Sequence, residues 1–193
     1  MKRIRNVVIS LLMLASCVPV QIAPTITMEK DLFRSKKWNV AVVDFDYDFE
    51  GEGTLNGTNY KSAGKDGGKV LADLFSAELS RLENVSILER SKIAEVLREQ
   101  ALQQAGVTDS GSAAELGKLV GADAVVTGVV TDYVYWSNLT GSGTTVSFSI
   151  KMIDVRTGKV MLNGSISRAR NLTDAFPNAQ MTTKDLVDAI QNY

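Results

Sequence analysis

The stretch Ala122–Trp136, ADAVVTGVVTDYVYW, is the longest β-forming run in the chain, and its reading decides the fold. Val125, Val126, Val129, Val130, Tyr133, Val134 and Tyr135 are the β-branched and aromatic side chains that fit a pleated, packed surface. Downstream, Val146, Phe148, Ile150 and Met152 alternate with polar residues. Arg156-Thr157-Gly158-Lys159 reads as a turn, and Val160, Leu162 and Ile166 resume the alternation. That pattern predicts a hairpin with one buried face.

Upstream, Trp38–Phe45 reads as a buried strand, and Asp46 to about Lys65 as a loop rich in glycine and acids. From about Asp66, Val70, Leu71, Leu74, Phe75, Leu79 and Leu82 recur at helical spacing. Val85–Leu88 has strand length. Ser91 is placed to cap a helix with Ile93, Val96, Leu97 and Leu102 on one face, stopped by Gly106. Ser112-Ala113-Ala114-Glu115 has capping-box spacing, and Gly121 suits the end of that helix. A last helical segment covers about Thr183–Gln191. The order β-α-β-α-α-β-β-β-α predicts one α/β layer domain, a single mixed sheet packed with helices.

The first residues read as an address. Lys2, Arg3 and Arg5 precede the mostly apolar run Asn6–Leu14, and Leu14-Ala15-Ser16-Cys17 follows. A basic head, an apolar middle and small residues before a cut site describe a secretory signal. The run is shorter than the ~20 apolar residues that span a bilayer. Leu-Ala-Ser-Cys resembles the lipobox of bacterial lipoproteins, which implies acylation of Cys17 and removal of residues 1–16. Val18, where an aspartate would retain enterobacterial lipoproteins at the inner membrane, implies onward transport to the outer membrane. Residues 17–37, with Pro19 and Pro24, are expected to form a lipidated tether, at most ~70 Å long when extended. The periplasmic domain is expected over 38–193.

Composition excludes several classes. The chain of 193 residues has no histidine and one cysteine, Cys17. Histidine-based nucleophile activation, histidine zinc sites and disulfides are therefore ruled out. The formal charge is −1, or about −4 without the three signal cations (−1 − 3). A mildly acidic chain without a basic run is a poor nucleic-acid binder.

Several blocks then follow one another in a telling order. These are Val40–Phe45, Glu78–Leu82, Val85–Ile93 with Leu88-Glu89-Arg90, Leu97–Gln100, Leu116–Gly128 with Gly121-Ala122-Asp123 and Gly128, and Asp154–Val160. Over about Trp38–Arg168 the chain resembles the CsgG family, envelope lipoproteins named for the curli-secretion channel. The resemblance implies assembly or transport work through protein partners, and a possible homo-oligomer. The family's channel proteins add two long membrane-inserting hairpins per subunit. Here the nine residues between Trp136 and Val146 are polar and short, and Pro177 soon follows Arg170, so a short member without those hairpins is expected. LpoB-like activators of peptidoglycan synthases resemble such members, although the tether here is short for a protein that reaches through the wall.

Other constellations weigh less. Asp44, Asp46, Asp48, Glu50 and Glu52 occupy every second position, but Phe49 stands where an EF-hand needs glycine, which favours a strand with one acidic face. In Gly64-Lys65-Asp66-Gly67-Gly68-Lys69-Val70 a phosphate loop fails at two positions, Ala63 and Val70. Tyr133, Tyr135 and Trp136 are candidates for an interface, with alternation putting the two tyrosines on one face and Trp136 on the other. A carboxylate-dependent glycan enzyme would need a pair among Asp44, Asp46 and Glu89 facing one cleft. No catalytic residue, cofactor or metal is assigned.

Overall fold

The computed structural model describes residues 21–47, 51–99 and 109–193. In chain order its elements are β1 (Gln21–Met28), α1 (Lys30–Arg34), β2 (Trp38–Val42), β3 (Glu52–Leu55), β4 (Thr58–Ser62), α2 (Gly67–Leu79), β5 (Val85–Ile87), α3 (Arg90–Glu99), α4 (Ser110–Val120), β6 (Ala124–Asn138), β7 (Gly141–Asp154), β8 (Val160–Arg170) and α5 (Ala175–Asn192). The strands form one sheet in the order β1-β8-β7-β6-β2-β5, with the β3–β4 hairpin joined through β4 to the far half of β6. β2 runs parallel to β5 and β6, and the other neighbours are antiparallel. This is the mixed sheet that the hydrophobic pattern predicts.

The β6–β7 ladder is the spine. It continues from Ala124↔Asp154 to Asn138↔Gly141, closing on the two-residue turn Leu139-Thr140. The interval read as a polar loop is therefore strand: Thr144 and Thr145 pair with β8 as well as β6. On the other edge of β6, β2 covers residues 124–126 and β4 covers 134–137. Asp46 fills the gap, donating to Gly128 O (2.8 Å) and accepting from Val130 N (2.8 Å).

Helices cover the two faces unequally. α2 and α5 pack on one face around Phe75, Phe45 and Phe148, whose rings lie 6.0–6.5 Å apart. α3 and α4 cover only part of the other face, around Ile93, Leu116, Val125 and Ile153. Beyond them Val129, Ser149, Lys151, Asn163 and Ser165 are exposed, the wet face usual for an antiparallel sheet.

Several expectations are corrected. The segment expected as a tether to residue 37 is part of the domain from Gln21 onward: β1 pairs with β8, and α1 buries Phe33. Pro24 misled because a residue without an N–H is tolerated in an edge strand, here at the register shift between Ile22 and Thr25. The expected loop 46–65 contains the β3–β4 hairpin, turned by Asn56 (φ 49°) and Gly57 (φ 75°), and Asn-Gly is the sequence signal for such a turn. α3 begins at Arg90, so Ser91 lies inside it, while Leu102 and Gly106 fall outside the described residues. α4 is capped by Asp109, which accepts from Gly111 N and Ser112 N (2.9 Å each), rather than by Ser112. Gly121 (φ 72°) ends α4 as expected. α5 starts eight residues before the expected Thr183, with Pro177 in its first turn, where no intrahelical N–H bond is lost.

Candidate interaction surface at the hairpin end of the sheet

The residues singled out by sequence separate on folding. Cys17, Asp48 and Glu50 lie outside the described residues. Tyr133, a candidate interface residue, is only 7% exposed and belongs to the core beside α2 and α5, which corrects its assignment. Burial and the neighbouring Tyr135, Asp174 and Tyr47 push its phenol above the ordinary range. The cause is a register shift between Val130 and Asp132. Before it, Val126 and Val130 face α2 and α5; after it, Tyr133 and Tyr135 do, so one extra residue reverses the parity of the strand.

Tyr135 and Trp136 remain partly exposed, and the structure joins them to a residue not singled out, Tyr60, which pairs with Trp136 across β4 and β6. Together with Gly53, Lys61 and Leu172 they line an open groove of about 640 Å³ between the β3–β4 hairpin and the ends of β6 and β7. The Trp136 indole lies over its cross-strand partner Gly143, where a Cβ would stand 2.9 Å from the ring and would strike Arg170 O. Its Nε1 is shielded and has no acceptor among the described residues. Lys61 pairs with Glu52 across the hairpin at 2.6 Å, an exposed contact. The groove offers aromatic area with polar tips, which suits contact with another polypeptide.

The carboxylates considered for glycan chemistry differ in their surroundings. Asp44 is ion-paired with Arg90, which also binds Asp73 (2.8 Å). Asp46 is tied to β6 through its backbone N–H and carbonyl, and Glu89 is exposed. Burial lowers the pKa of the Arg90 guanidinium from its ordinary value. Among the described residues no three His, Cys, Asp or Glu side chains are grouped to hold a metal ion. Glu52 has left the expected acidic strand face for the β3–Lys61 contact.

The quoted motif blocks have structural explanations. In Gly121-Ala122-Asp123 the aspartate accepts from Asn39 N (3.0 Å) and Lys36 Nζ (2.7 Å), pinning β2 to the start of β6. Gly128 leaves room for the Phe45 ring, 2.7 Å from the position of a Cβ. Asp154 accepts from Arg156 N (2.8 Å) and Thr157 N (3.0 Å), shaping the turn that Gly158 completes at φ 68°. Sequence patterning gave no notice of a further network on the α5 side, where Arg168, Arg170, Asp185, Asn178 and Thr144 join α5 to β7 and β8.

The family model for the curli production assembly/transport component CsgG matches residues 25–174, beginning within β1. Among solved structures, the PelC dodecamer from Paraburkholderia phytofirmans is 16% identical, with a TM-score of 0.51 over 87% of this chain and 97% of that one. Lipoprotein GNA1162 from Neisseria meningitidis is 21% identical, with a TM-score of 0.56 over 80% of this chain and 99% of that one. At such identities the likeness is one of fold. No curated protein matches the chain in sequence.

Proposed function

This chain belongs to the CsgG family, and on that premise we propose that it is a lipid-anchored periplasmic protein of the outer membrane. It serves as a subunit or accessory of an envelope export or assembly complex, through protein contacts rather than catalysis. The observation that carries this reading is the groove formed by Tyr60, Tyr135 and Trp136 at the hairpin end of the sheet. Aromatic residues with polar tips favour protein interfaces, because each combines large contact area with a hydrogen-bonding group at low entropic cost. The dodecamer named for PelC supports the finer reading that copies of this chain contact one another. A regulator reaching across the wall fits less well, because only three residues separate Cys17 from the first residue of β1.

The test is the native mass of the acylated protein in mild detergent. A closed ring of many copies is expected, and Tyr60→Ala combined with Trp136→Ala is expected to reduce it to smaller species while the circular dichroism spectrum is unchanged. A monomeric wild type that captures no envelope protein on crosslinking in cells would sink the proposal.

A further inference from the structure

The start of β1 fixes which end of the domain lies nearest Cys17. Gln21 pairs with Arg168, near the end of β8, and that row continues through Val146 on β7 to Tyr133 on β6. The chain thus enters the domain at the end of the sheet where β6 finishes, β7 begins and α5 starts. The Asp154–Lys159 turn lies at the opposite end. Four Cα–Cα steps of 3.8 Å separate Cys17 from Gln21, a reach of at most ~15 Å.

Beyond that row, β7 extends five further residues, from Val146 back to Gly141, or ~17 Å along the strand. The tip of the β6–β7 hairpin therefore projects toward the acyl chains about as far as the linking segment can stretch. At this tip Leu139 is fully exposed, although nothing in the turn requires an apolar residue. Asn138 shapes the turn, accepting from Thr140 N (2.9 Å) and Gly141 N (3.1 Å). The β3–β4 turn sits alongside, with Asn138 Nδ2 3.4 Å from Thr58 Oγ1, and presents Leu55 at 64% exposure. Phe176, in the first turn of α5, is 45% exposed at the same end of the sheet. By contrast, on the uncovered sheet face one exposed apolar residue, Val129, stands among the polar Ser149, Lys151, Asn163 and Ser165, and β1 exposes Thr25 and Thr27. If the domain lay on this face, it would press a mostly polar surface, with Val129 as its one exposed large apolar side chain among the described residues, against the bilayer.

We propose that the hairpin end of the sheet rests on the lipid surface, with Leu139, Leu55 and Phe176 entering the interfacial region and the strands standing off the membrane. This inference rests on the reading of Cys17 as an acylated anchor. The three side chains add a second, non-covalent attachment that fixes the orientation of the domain. Apolar residues entering the headgroup boundary contribute in proportion to the area they bury.

The experiment uses the full acylated protein in vesicles of phosphatidylethanolamine and phosphatidylglycerol. A bimane label is placed at Leu139→Cys, Leu55→Cys or Thr157→Cys, and quenching by nitroxide lipids is measured. Intact mass reports acylation of Cys17 in each sample. Labels at 139 and 55 are expected to be quenched at least twofold more than the label at 157. An acylated, vesicle-bound protein with no difference between the three sites, or with 157 quenched most, overturns the proposed orientation and leaves the anchor standing. A protein that carries no acyl mass overturns the anchor and the orientation together.

Discussion

Asn178, fully buried on α5, donates its side-chain amide to both the carbonyl oxygen (3.2 Å) and the hydroxyl oxygen (3.1 Å) of Thr144 at the start of β7. The same amide reaches Arg168 O (3.2 Å), while its Oδ1 accepts from Arg170 Nε (3.0 Å) and Thr182 Oγ1 (3.1 Å). One side chain therefore satisfies five groups from three elements. It fixes the angle at which α5 lies across the hairpin end. A buried polar residue is tolerated here because its donors and acceptor are all met.

Asn178→Ala removes those partners and leaves buried acceptors and a guanidinium under-satisfied. A loss of about 2–4 kcal/mol is expected, from unmet buried polar groups. Urea unfolding followed by circular dichroism measures it, and a loss below about 1 kcal/mol would show that water replaces the side chain.

Gly117 on α4 packs so closely against β6 and the residue that follows β7 that a Cβ would collide with Val155 Cγ2 and stand 2.9 Å from Val125 Cγ2. Alanine is the better helix former by ~1 kcal/mol, yet overpacking costs about 1–3 kcal/mol. Gly117→Ala should therefore destabilise the protein despite the propensity gain. Val155→Ala in the same chain should recover part of the loss, which thermal unfolding of the two single variants and the double variant would reveal.

Arg90 neutralises Asp44 and Asp73 at a half-buried position between β2, α2 and α3. Arg90→Met should cost about 2–3 kcal/mol, because the Asp44 carboxylate is left without its cation. Asp44→Asn in that background should restore stability. If the double variant is as unstable as Arg90→Met alone, the arginine contributes packing rather than charge.

Asp123 has a carboxyl held below its ordinary 3.8 by the hydrogen bond from Lys36 and by the Asn39 backbone N–H. A depressed folded value means that the unfolded chain binds the proton more tightly. Its contribution is therefore fully present above about pH 4 and is lost as pH falls through the lower folded value. With the pair near the surface and screened by solvent, the effect is at most about 1 kcal/mol. Asp123→Asn should flatten the acid limb of stability below about pH 4, with no change in pH dependence near neutrality.

Cys17→Ser should move the protein from the membrane pellet to the soluble envelope fraction and abolish the acyl mass increment. Retention of Cys17→Ser in the pellet would show that something other than lipid holds it there.

Much of this molecule could be read from residue types. The β6 run, the β7–β8 alternation, the α2 periodicity and the Gly121 stop each depend on neighbours within a few positions. Local spacing therefore carried them. The groove was only half legible. Tyr135 and Trp136 stood out as aromatic residues at a strand end, while Tyr60 reaches them only because β4 joins the far half of β6.

By itself the sequence determined the mixed α/β sheet, the β7–β8 hairpin turned at Arg156–Lys159 and the candidate anchor at Cys17. Burying an apolar period and attaching lipid to a thiol are matters of local pattern and residue chemistry. Only the tertiary structure decided that residues 21–28 complete the sheet edge, that Asn178 locks α5 to β7 and that Tyr133 faces the core. Each depends on a partner distant in the chain or on a single inserted residue in a ladder. The extra residue at the Val130–Asp132 shift turns every following side chain to the opposite face without altering the pattern that announces the strand.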